Sequence, residues 1–331
     1  LKLFSFIFLL AIIVGFIFGQ KKGRPWCRYF CPIGKILGVV SRLSIVNFLA
    51  NKGVKKLNAK NKEYIQGRLC PNDYNLPFKK TSNNCIACGR CTFKNSKSGM
   101  GVYLRKPGAE ALQIQSNGPI WSEIIFILLC PGVCAGGFLW LILNQYQQFR
   151  NTVGMWAINH NWQWIFSQAP SAISSQNWHQ HFNYLDIICI TSYMLFYSII
   201  IGAISFILIA SASRSITPNY TAAKQKFISF CYNFIPIAIL SIVIGLCGKF
   251  FQTMQHDFNM PQLVSTLINS ALLITSAIWS ISMLYKTVNF NPNISKTRKI
   301  IAFSLLLTNI LLLTALWIPA IFNYSYLSPV E

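Results

Sequence analysis

Charged side chains are scarce in this chain of 331 residues, where they make up 11% and only seven are Asp or Glu. Hydrophobic residues make up 53%, and the mean hydropathy is +0.44. An ordinary soluble domain is about 25% charged, so this composition excludes that class. It is typical of a protein embedded in a membrane.

Several motifs of enzyme chemistry are also missing. The sequence has no Ser-His-Asp set, no Walker loop and no G-x-G-x-x-G after a strand, so nothing in it indicates hydrolysis or nucleotide binding. It has only four histidines: His160, His179, His181 and His256. A haem inside a membrane needs axial histidines on facing spans. None of the four lies well inside an apolar segment, and no haem is therefore expected.

Six apolar segments are each long enough to cross ~30 Å of hydrocarbon, which takes ~20 helical residues. They lie at 3–20, 120–146, 184–212, 227–250, 262–285 and 300–323. The first has no small-residue cleavage pattern and is expected to be a retained span. The expected fold is therefore mainly α, a polytopic protein with about six transmembrane helices.

Basic residues concentrate in one part of the chain. Residues 21–106 carry 19 of the 29 Lys and Arg, against Glu63 and Asp73 alone. Such a block can bind nucleic acid, but beside apolar spans it is more typical of a cytoplasmic segment near anionic lipid. The later loops alternate between basic and neutral, which places both ends outside. The segments expected in the cytoplasm are 21–119, 213–226 and 286–299.

These assignments divide the chain into six parts. They are a first transmembrane helix (1–20), a basic cytoplasmic segment (21–119), a second transmembrane helix (120–146), a Trp-rich external loop (147–183), a four-helix membrane region (184–323) and an external tail (324–331). Pro131-Gly132 is expected to break the second helix. A short amphipathic helix is predicted over 33–48. Glu123 and Asp186 lie at span ends, where solvation at the interface is the expectation.

Six of the eleven cysteines lie in or beside the basic block, where metal or cluster ligation is expected rather than disulfides. Cys85-Ile-Ala-Cys88-Gly-Arg-Cys91 is a C-x2-C-x2-C run. The bacterial ferredoxin pattern is C-x2-C-x2-C-x3-C-P, and three thiolates on one tight loop can hold three irons of a cubane. The fourth position of the pattern holds Asn95 instead of cysteine.

Cys70-Pro71 has the form of the end of an earlier ferredoxin motif whose other cysteines are missing. In two-cluster ferredoxins the fourth cysteine of one motif ligates the cluster of the other. The surviving cysteines therefore form one complete set for a single 4Fe–4S cluster: Cys70, Cys85, Cys88 and Cys91. A four-cysteine zinc site is the alternative, although zinc sites usually pair C-x2-C with a second C-x2-C.

Two C-x3-C pairs lie at the predicted spans, Cys27 with Cys31 and Cys130 with Cys134. Residues i and i+4 share a helix face. The two pairs either converge in a four-thiolate site or are unrelated packed thiols. A joint site would hold a metal or a second iron–sulfur centre, or would form redox-active disulfides.

The stretch Gly23-Arg24-Pro25-Trp26-Cys27-Arg28-Tyr29-Phe30-Cys31-Pro32-Ile33-Gly34 resembles the membrane polyferredoxins of the NosR/NapH type. In these a G-R-x-W/F-C-x3-C-P-x-G element leaves a span and precedes ferredoxin motifs. The resemblance covers about residues 1–145. The second pair departs from the pattern, since Ala135 follows its last cysteine. The resemblance implies a small ferredoxin-like cytoplasmic insertion in the bacterial-type inner (cytoplasmic) membrane.

The function that this resemblance implies is electron transfer from the quinone pool to a partner reductase, as a quinol dehydrogenase component in anaerobic respiration or denitrification. The expected partners are the lipid bilayer, a quinone or quinol, and a redox subunit whose acidic surface complements residues 21–106. Nucleic acid is not expected. The chain is also similar to FixG/CcoG accessory proteins, which implies copper reduction or delivery to a respiratory enzyme. A non-redox membrane scaffold or transporter with vestigial cysteines is the third alternative.

Overall fold

The computed structural model describes part of the chain: residues 13, 17, 32–50, 70, 79–83, 85, 87–92, 100–142, 144–168, 183–289 and 294–322. These described residues are mainly α-helical, as the composition predicts. The chain divides into two compact units, Leu1–Glu123 and Ile124–Glu331. The first unit carries the predicted ferredoxin-like segment, and the second carries most of the apolar helices.

The first unit contains a short helix followed by a hairpin. Its elements are α1 (Pro32–Ser41), β1 (Val46–Ala50), a 3₁₀ turn (Arg90–Thr92), β2 (Met100–Leu104), α2 (Ala109–Leu112) and α3 (Ile114–Asn117). The strands are antiparallel, and Val46 pairs with Leu104 while Ala50 pairs with Met100. The helix predicted over 33–48 is thus wrong beyond Ser41. Pairing with a strand 50 to 58 residues away overrides the local helical pattern there.

The second unit is a bundle of apolar helices. Its elements are α4 (Trp121–Ile142, which begins in the first unit), α5 (Asn144–Asn159), a 3₁₀ turn (Gln163–Phe166), α6 (Tyr184–Ile216), α7 (Tyr220–Tyr232), α8 (Ile235–Phe258), α9 (Gln262–Asn289), α10 (Lys296–Ala315) and α11 (Ile318–Phe322). Five helical stretches are long and apolar enough to cross a membrane: Trp121–Trp140, Tyr184–Ile216, Tyr220–Gly248, Gln262–Asn289 and Lys296–Phe322. They coincide with five of the six predicted spans. The sixth, at 3–20, lies outside the described residues except at 13 and 17.

One of these stretches is enclosed by the others. In Tyr220–Gly248, 78% of the most apolar window is buried inside the unit, against 28% in Tyr184–Ile216. Buried polar side chains pair between neighbouring helices: the Ser205 hydroxyl donates to the Asn309 side-chain oxygen at 2.9 Å. The Trp317 indole likewise donates to the Ser241 hydroxyl at 3.0 Å. Paired polar groups of this kind hold helices together where water is absent.

Helix α4 runs through Pro131 without interruption, so the predicted break at Pro131-Gly132 is wrong. The helix packs closely against α6 in this turn. A Cβ added at Gly132 would lie 2.7 Å from the Ser198 Cα, so only glycine permits this approach. In the same turn the Ser198 hydroxyl donates to the Leu129 carbonyl at 3.2 Å. Proline is tolerated inside membrane helices when they pack against other helices.

The segment predicted as an external loop, 147–183, begins within a helix. Helix α5 reaches Asn159, and a 3₁₀ turn follows at Gln163–Phe166, while residues 169–182 lie outside the described residues. The helix forms because Tyr146, Gly154 and Ala157 are buried at helical spacing along one face.

Candidate functional site

Three of the four predicted cluster ligands share one apolar surface. Cys70, Cys85 and Cys91 are partly buried and pack against Phe48 of β1 and Met100 of β2. Met100 pairs with Ala50, and Phe48 pairs with Val102, so Phe48 and Met100 are diagonal neighbours on the hairpin. Antiparallel pairing of two distant segments therefore forms the apolar surface of Phe48 and Met100 that all three thiols contact.

The fourth predicted ligand, Cys88, is exposed. Its two neighbours both have a left-handed backbone, with φ of 51° at Ala87 and 72° at Gly89. A non-glycine residue in this region is uncommon and often marks a functional site. Left-handed residues in tight loops also form backbone nests whose N–H groups converge on anions and iron–sulfur clusters. The loop conformation therefore suits a site that binds a negatively charged group.

Two turns close the loop on either side of Cys88. The Cys85 backbone N–H donates to the Ser82 carbonyl at 2.9 Å. After the loop, the Thr92 N–H and hydroxyl both donate to the Gly89 carbonyl, at 2.9 and 2.8 Å. These bonds fix the positions at which the cysteine run enters and leaves the turn.

A buried cation contacts one of the ligand cysteines. The Lys79 side chain is 5% exposed, and its ammonium donates to the Cys85 sulfur at 3.2 Å. The same ammonium lies 5.6 Å from the centre of the Phe48 ring. Burial raises the pKa of the Cys91 thiol, Lys79 acts in the opposite direction, and the nearby Cys85 and Cys70 add to the rise. These interactions place all three cysteines and Lys79 in one electrostatic environment.

A buried carboxylate anchors the start of the cysteine loop. Glu110, 2% exposed, accepts the Ser82 backbone N–H at 2.9 and 3.0 Å and the Thr81 hydroxyl at 2.6 Å. The same carboxylate pairs with Arg42 at 3.2 Å and with Arg105 at 2.5 Å. Two guanidinium groups thus hold the acceptor that fixes the loop.

A second buried carboxylate extends this network. The Arg42 side chain is fully buried and pairs with Glu123 at 2.9 Å. The Asn83 amide donates to the same carboxylate. The expectation that Glu123 is solvated at an interface is wrong, and Asp186 is likewise paired, with Arg150 at 2.5 Å. Local sequence patterns carry no signal for the Arg42 pairs, because the partners lie 68 and 81 residues away.

The second unit holds the other described cysteine pair. The Cys130 and Cys134 sulfurs lie 3.8 Å apart on one face of α4, as the i, i+4 spacing predicts. This separation is well above the ~2.05 Å of a disulfide. The Cys130 sulfur also lies 3.6 Å from the Ala238 carbonyl oxygen. Cys27 and Cys31 lie outside the described residues, so the joint site of these four cysteines stays a prediction.

Within the described part of the chain, no three His, Cys, Asp or Glu side chains are grouped so that they could hold one metal ion. A 4Fe–4S cluster needs a different arrangement, because each of its four irons binds one cysteine thiolate. The four cysteine sulfurs therefore do not converge on a single point. Ligation of a cluster by Cys70, Cys85, Cys88 and Cys91 therefore stays a prediction. The shared apolar surface, the left-handed backbone around Cys88 and the buried Lys79 fit a 4Fe–4S cluster.

Comparison with known proteins gives one match. A family model described as a 4Fe-4S binding domain matches residues 1–57. No curated protein and no solved structure matches the chain. The matched segment is less than a fifth of the chain, and its only cysteines are Cys27 and Cys31. The match supports an iron–sulfur protein with an electron-transfer function.

Proposed function

We propose that this chain is a membrane-bound electron-transfer protein in which Cys70, Cys85, Cys88 and Cys91 hold one 4Fe–4S cluster. One observation carries the proposal. Cys70, fifteen positions before the C-x2-C-x2-C run, packs on the same apolar surface of Phe48 and Met100 as Cys85 and Cys91. This placement supports the idea that Cys70 supplies the ligand missing at Asn95.

The residues around the loop suit electron exchange with a partner. A cluster bound there would supply one-electron redox chemistry. Phe48 and Met100 shield one side from water, while Cys88 is exposed on the loop. Lys80 and Arg90, close to the cysteines in sequence, are exposed as well. A partner with an acidic surface would be attracted to this basic edge.

The membrane helices support the remaining parts of the proposal. Five stretches are long and apolar enough to cross a bilayer, and the basic segment 21–106 favours a cytoplasmic position for the cysteine loop. We propose a bacterial-type inner membrane, a quinol as electron donor and a partner reductase as acceptor. This role resembles that of NosR/NapH-type proteins in denitrification.

Iron and acid-labile sulfide counted after anaerobic purification test the proposal. We expect about four irons per chain and an EPR signal from the reduced cluster. Replacement Cys88→Ser should abolish that signal. The matched control is Cys247→Ser, which removes a cysteine of α8 outside both predicted sets. A chain that contains only zinc would contradict the proposal.

The iron count also tests the second predicted site. The segment that matches a 4Fe-4S domain has two cysteines, whereas a cubane needs four thiolates. A second cluster held by Cys27, Cys31, Cys130 and Cys134 would raise the count to about eight irons per chain. A count of about four that survives loss of Cys27 would assign the iron to the loop of the first unit.

A second candidate function is copper reduction or delivery, as in FixG/CcoG-type accessory proteins. The observation that favours it is the Cys130–Cys134 pair, whose sulfurs face each other at 3.8 Å inside an apolar helix. Soft thiolates select Cu(I). Copper binding that disappears in Cys130→Ser, while the iron–sulfur signal remains, would support this function. Unchanged copper binding in that variant would exclude a role for the pair.

A further inference from the structure

We propose that Lys79 is a positioning residue that raises the reduction potential of the cluster. It does so by holding a buried positive charge next to the Cys85 sulfur. The inference rests on the proposed function, because it concerns the cluster that this loop would hold. It adds a specific role for one side chain outside the cysteine pattern. No spacing rule in the sequence distinguishes Lys79 from the other basic residues of its segment.

The ammonium of Lys79 is held in place from two sides. It donates to the Cys85 sulfur at 3.2 Å and lies 5.6 Å from the centre of the Phe48 ring. An ammonium near an aromatic face is attracted by the electrons of the ring. Because the side chain is only 5% exposed, bulk water screens its charge weakly.

The backbone that carries Lys79 is also fixed. Two and three positions later, Thr81 and Ser82 donate to the buried Glu110 carboxylate. The Glu110 network therefore anchors the backbone between Lys79 and the cysteine loop.

Two guanidinium groups of this unit pair with carboxylates. Arg42 pairs with Glu110 and Glu123, and Arg105 pairs with Glu110. The Lys79 ammonium contacts a predicted ligand sulfur. A buried ammonium is costly unless a negative group compensates it. A thiolate-ligated cluster is such a group.

Reduction adds negative charge to a thiolate-ligated cluster. A positive charge nearby stabilises the reduced form more than the oxidised form, since the attraction grows with the charge of the cluster. Hydrogen bonds to the ligand sulfurs act in the same direction, and both tune the potentials of iron–sulfur proteins. Removal of the Lys79 charge should therefore make the cluster harder to reduce.

The test compares the parent chain with Lys79→Met, Lys79→Arg and Lys80→Met, each purified anaerobically in detergent. Iron and sulfide are counted first, and the cluster is then titrated by EPR against the ambient potential. Lys80 is the matched control, because it is adjacent in sequence but exposed. Lys79→Arg keeps the positive charge and should stay close to the parent.

We expect Lys79→Met to keep the iron of the parent and to shift the ratio of reduced to oxidised cluster about tenfold towards oxidised. This corresponds to about 59 mV for a one-electron couple. Lys80→Met should move the potential much less. Retained iron with an unmoved potential in Lys79→Met would overturn the inference and leave the proposed function standing. Equal shifts in both variants would also overturn it.

If Lys79→Met loses its iron, the reduction potential is measured in Lys79→Gln instead. This variant keeps an N–H donor and removes only the charge. A lowered potential in that variant supports the inference, and an unmoved potential overturns it. A parent chain without iron and sulfide would overturn the proposed function itself, and the inference with it. The two failures are therefore distinguishable.

Discussion

The Arg42 guanidinium and the Glu123 carboxylate form an ion pair at 2.9 Å, and both side chains are buried. The pair joins the turn after α1 to the first turn of α4. Arg42 also contacts Glu110, which anchors the start of the cysteine loop. Within the first unit, one guanidinium thus contacts both Glu123 and the carboxylate that anchors the loop with the predicted ligands.

Loss of Arg42 should destabilise the first unit strongly. In Arg42→Met, Glu110 keeps Arg105 as a partner, but Glu123 loses the ion pair that the structure shows. Removing one partner of a buried ion pair costs about 3–5 kcal/mol. The free energy of unfolding of the purified chain, measured by denaturant titration, checks this value.

A double variant separates charge balance from packing. Arg42→Met with Glu123→Gln removes both charges and leaves an amide oxygen that can accept from Asn83. Part of the lost stability should return, because the double variant no longer buries the Glu123 charge without the Arg42 charge. As a control, Arg150→Gln breaks the pair with Asp186 at the more exposed partner and should cost no more than about 1 kcal/mol. A double variant as unstable as the single one would contradict this account.

The approach of α4 and α6 gives a second prediction. Gly132→Ala would place a Cβ 2.7 Å from the Ser198 Cα, so one of the helices must shift. Overpacking of this kind costs about 1–3 kcal/mol. Gly245→Ala in α8 is the matched control, since nothing lies within 4 Å of the added Cβ.

Thermal unfolding in detergent measures both glycine variants. Gly132→Ala should lower the midpoint, whereas Gly245→Ala should leave it unchanged or raise it, because alanine favours a helix by up to about 1 kcal/mol. Equal midpoints for the two variants would show that the close contact at Gly132 does not contribute to stability.

Thiol reactivity gives a third prediction, on iron-free protein. Burial raises the pKa of the Cys91 thiol, so a smaller fraction is thiolate at neutral pH. Cys88 is exposed, while Cys91 is partly buried. Alkylation followed by mass spectrometry should therefore modify Cys88 before Cys91.

The raised pKa of Cys91 also predicts how its alkylation rate depends on pH. A raised pKa means that the thiolate appears only at higher pH, so the alkylation rate of Cys91 should keep rising after an ordinary thiol has reached its plateau. If the alkylation rate of Cys91 reached its plateau at a lower pH than that of a free cysteine, this would contradict the burial seen in the structure.

Local patterns in the sequence predict some of these features and miss others. Five of the six predicted spans coincide with helices that are apolar and long enough, because about 20 consecutive apolar residues are a local signal. The cysteine run is also local. The β1–β2 hairpin is not, since Val46 pairs with Leu104, and the short helix predicted over 33–48 wrongly included β1.

Features that depend on packing were the ones missed. The close approach of α4 at Gly132 depends on Ser198 of α6. Burial of Glu123 depends on Arg42, 81 residues earlier in the chain. In each case the partner is brought close only by the tertiary fold, so neither periodicity nor spacing indicates it.

The central claim is that the loop of the first unit holds a 4Fe–4S cluster that does not depend on the C-x3-C pairs. The most direct test is the iron content and EPR spectrum of a variant in which serine replaces Cys27, Cys31, Cys130 and Cys134 together. We expect this variant to keep about four irons per chain and a signal from the reduced cluster. We expect the signal to disappear when Cys70→Ser is added. A variant that has lost all its iron before Cys70 is changed would contradict the account.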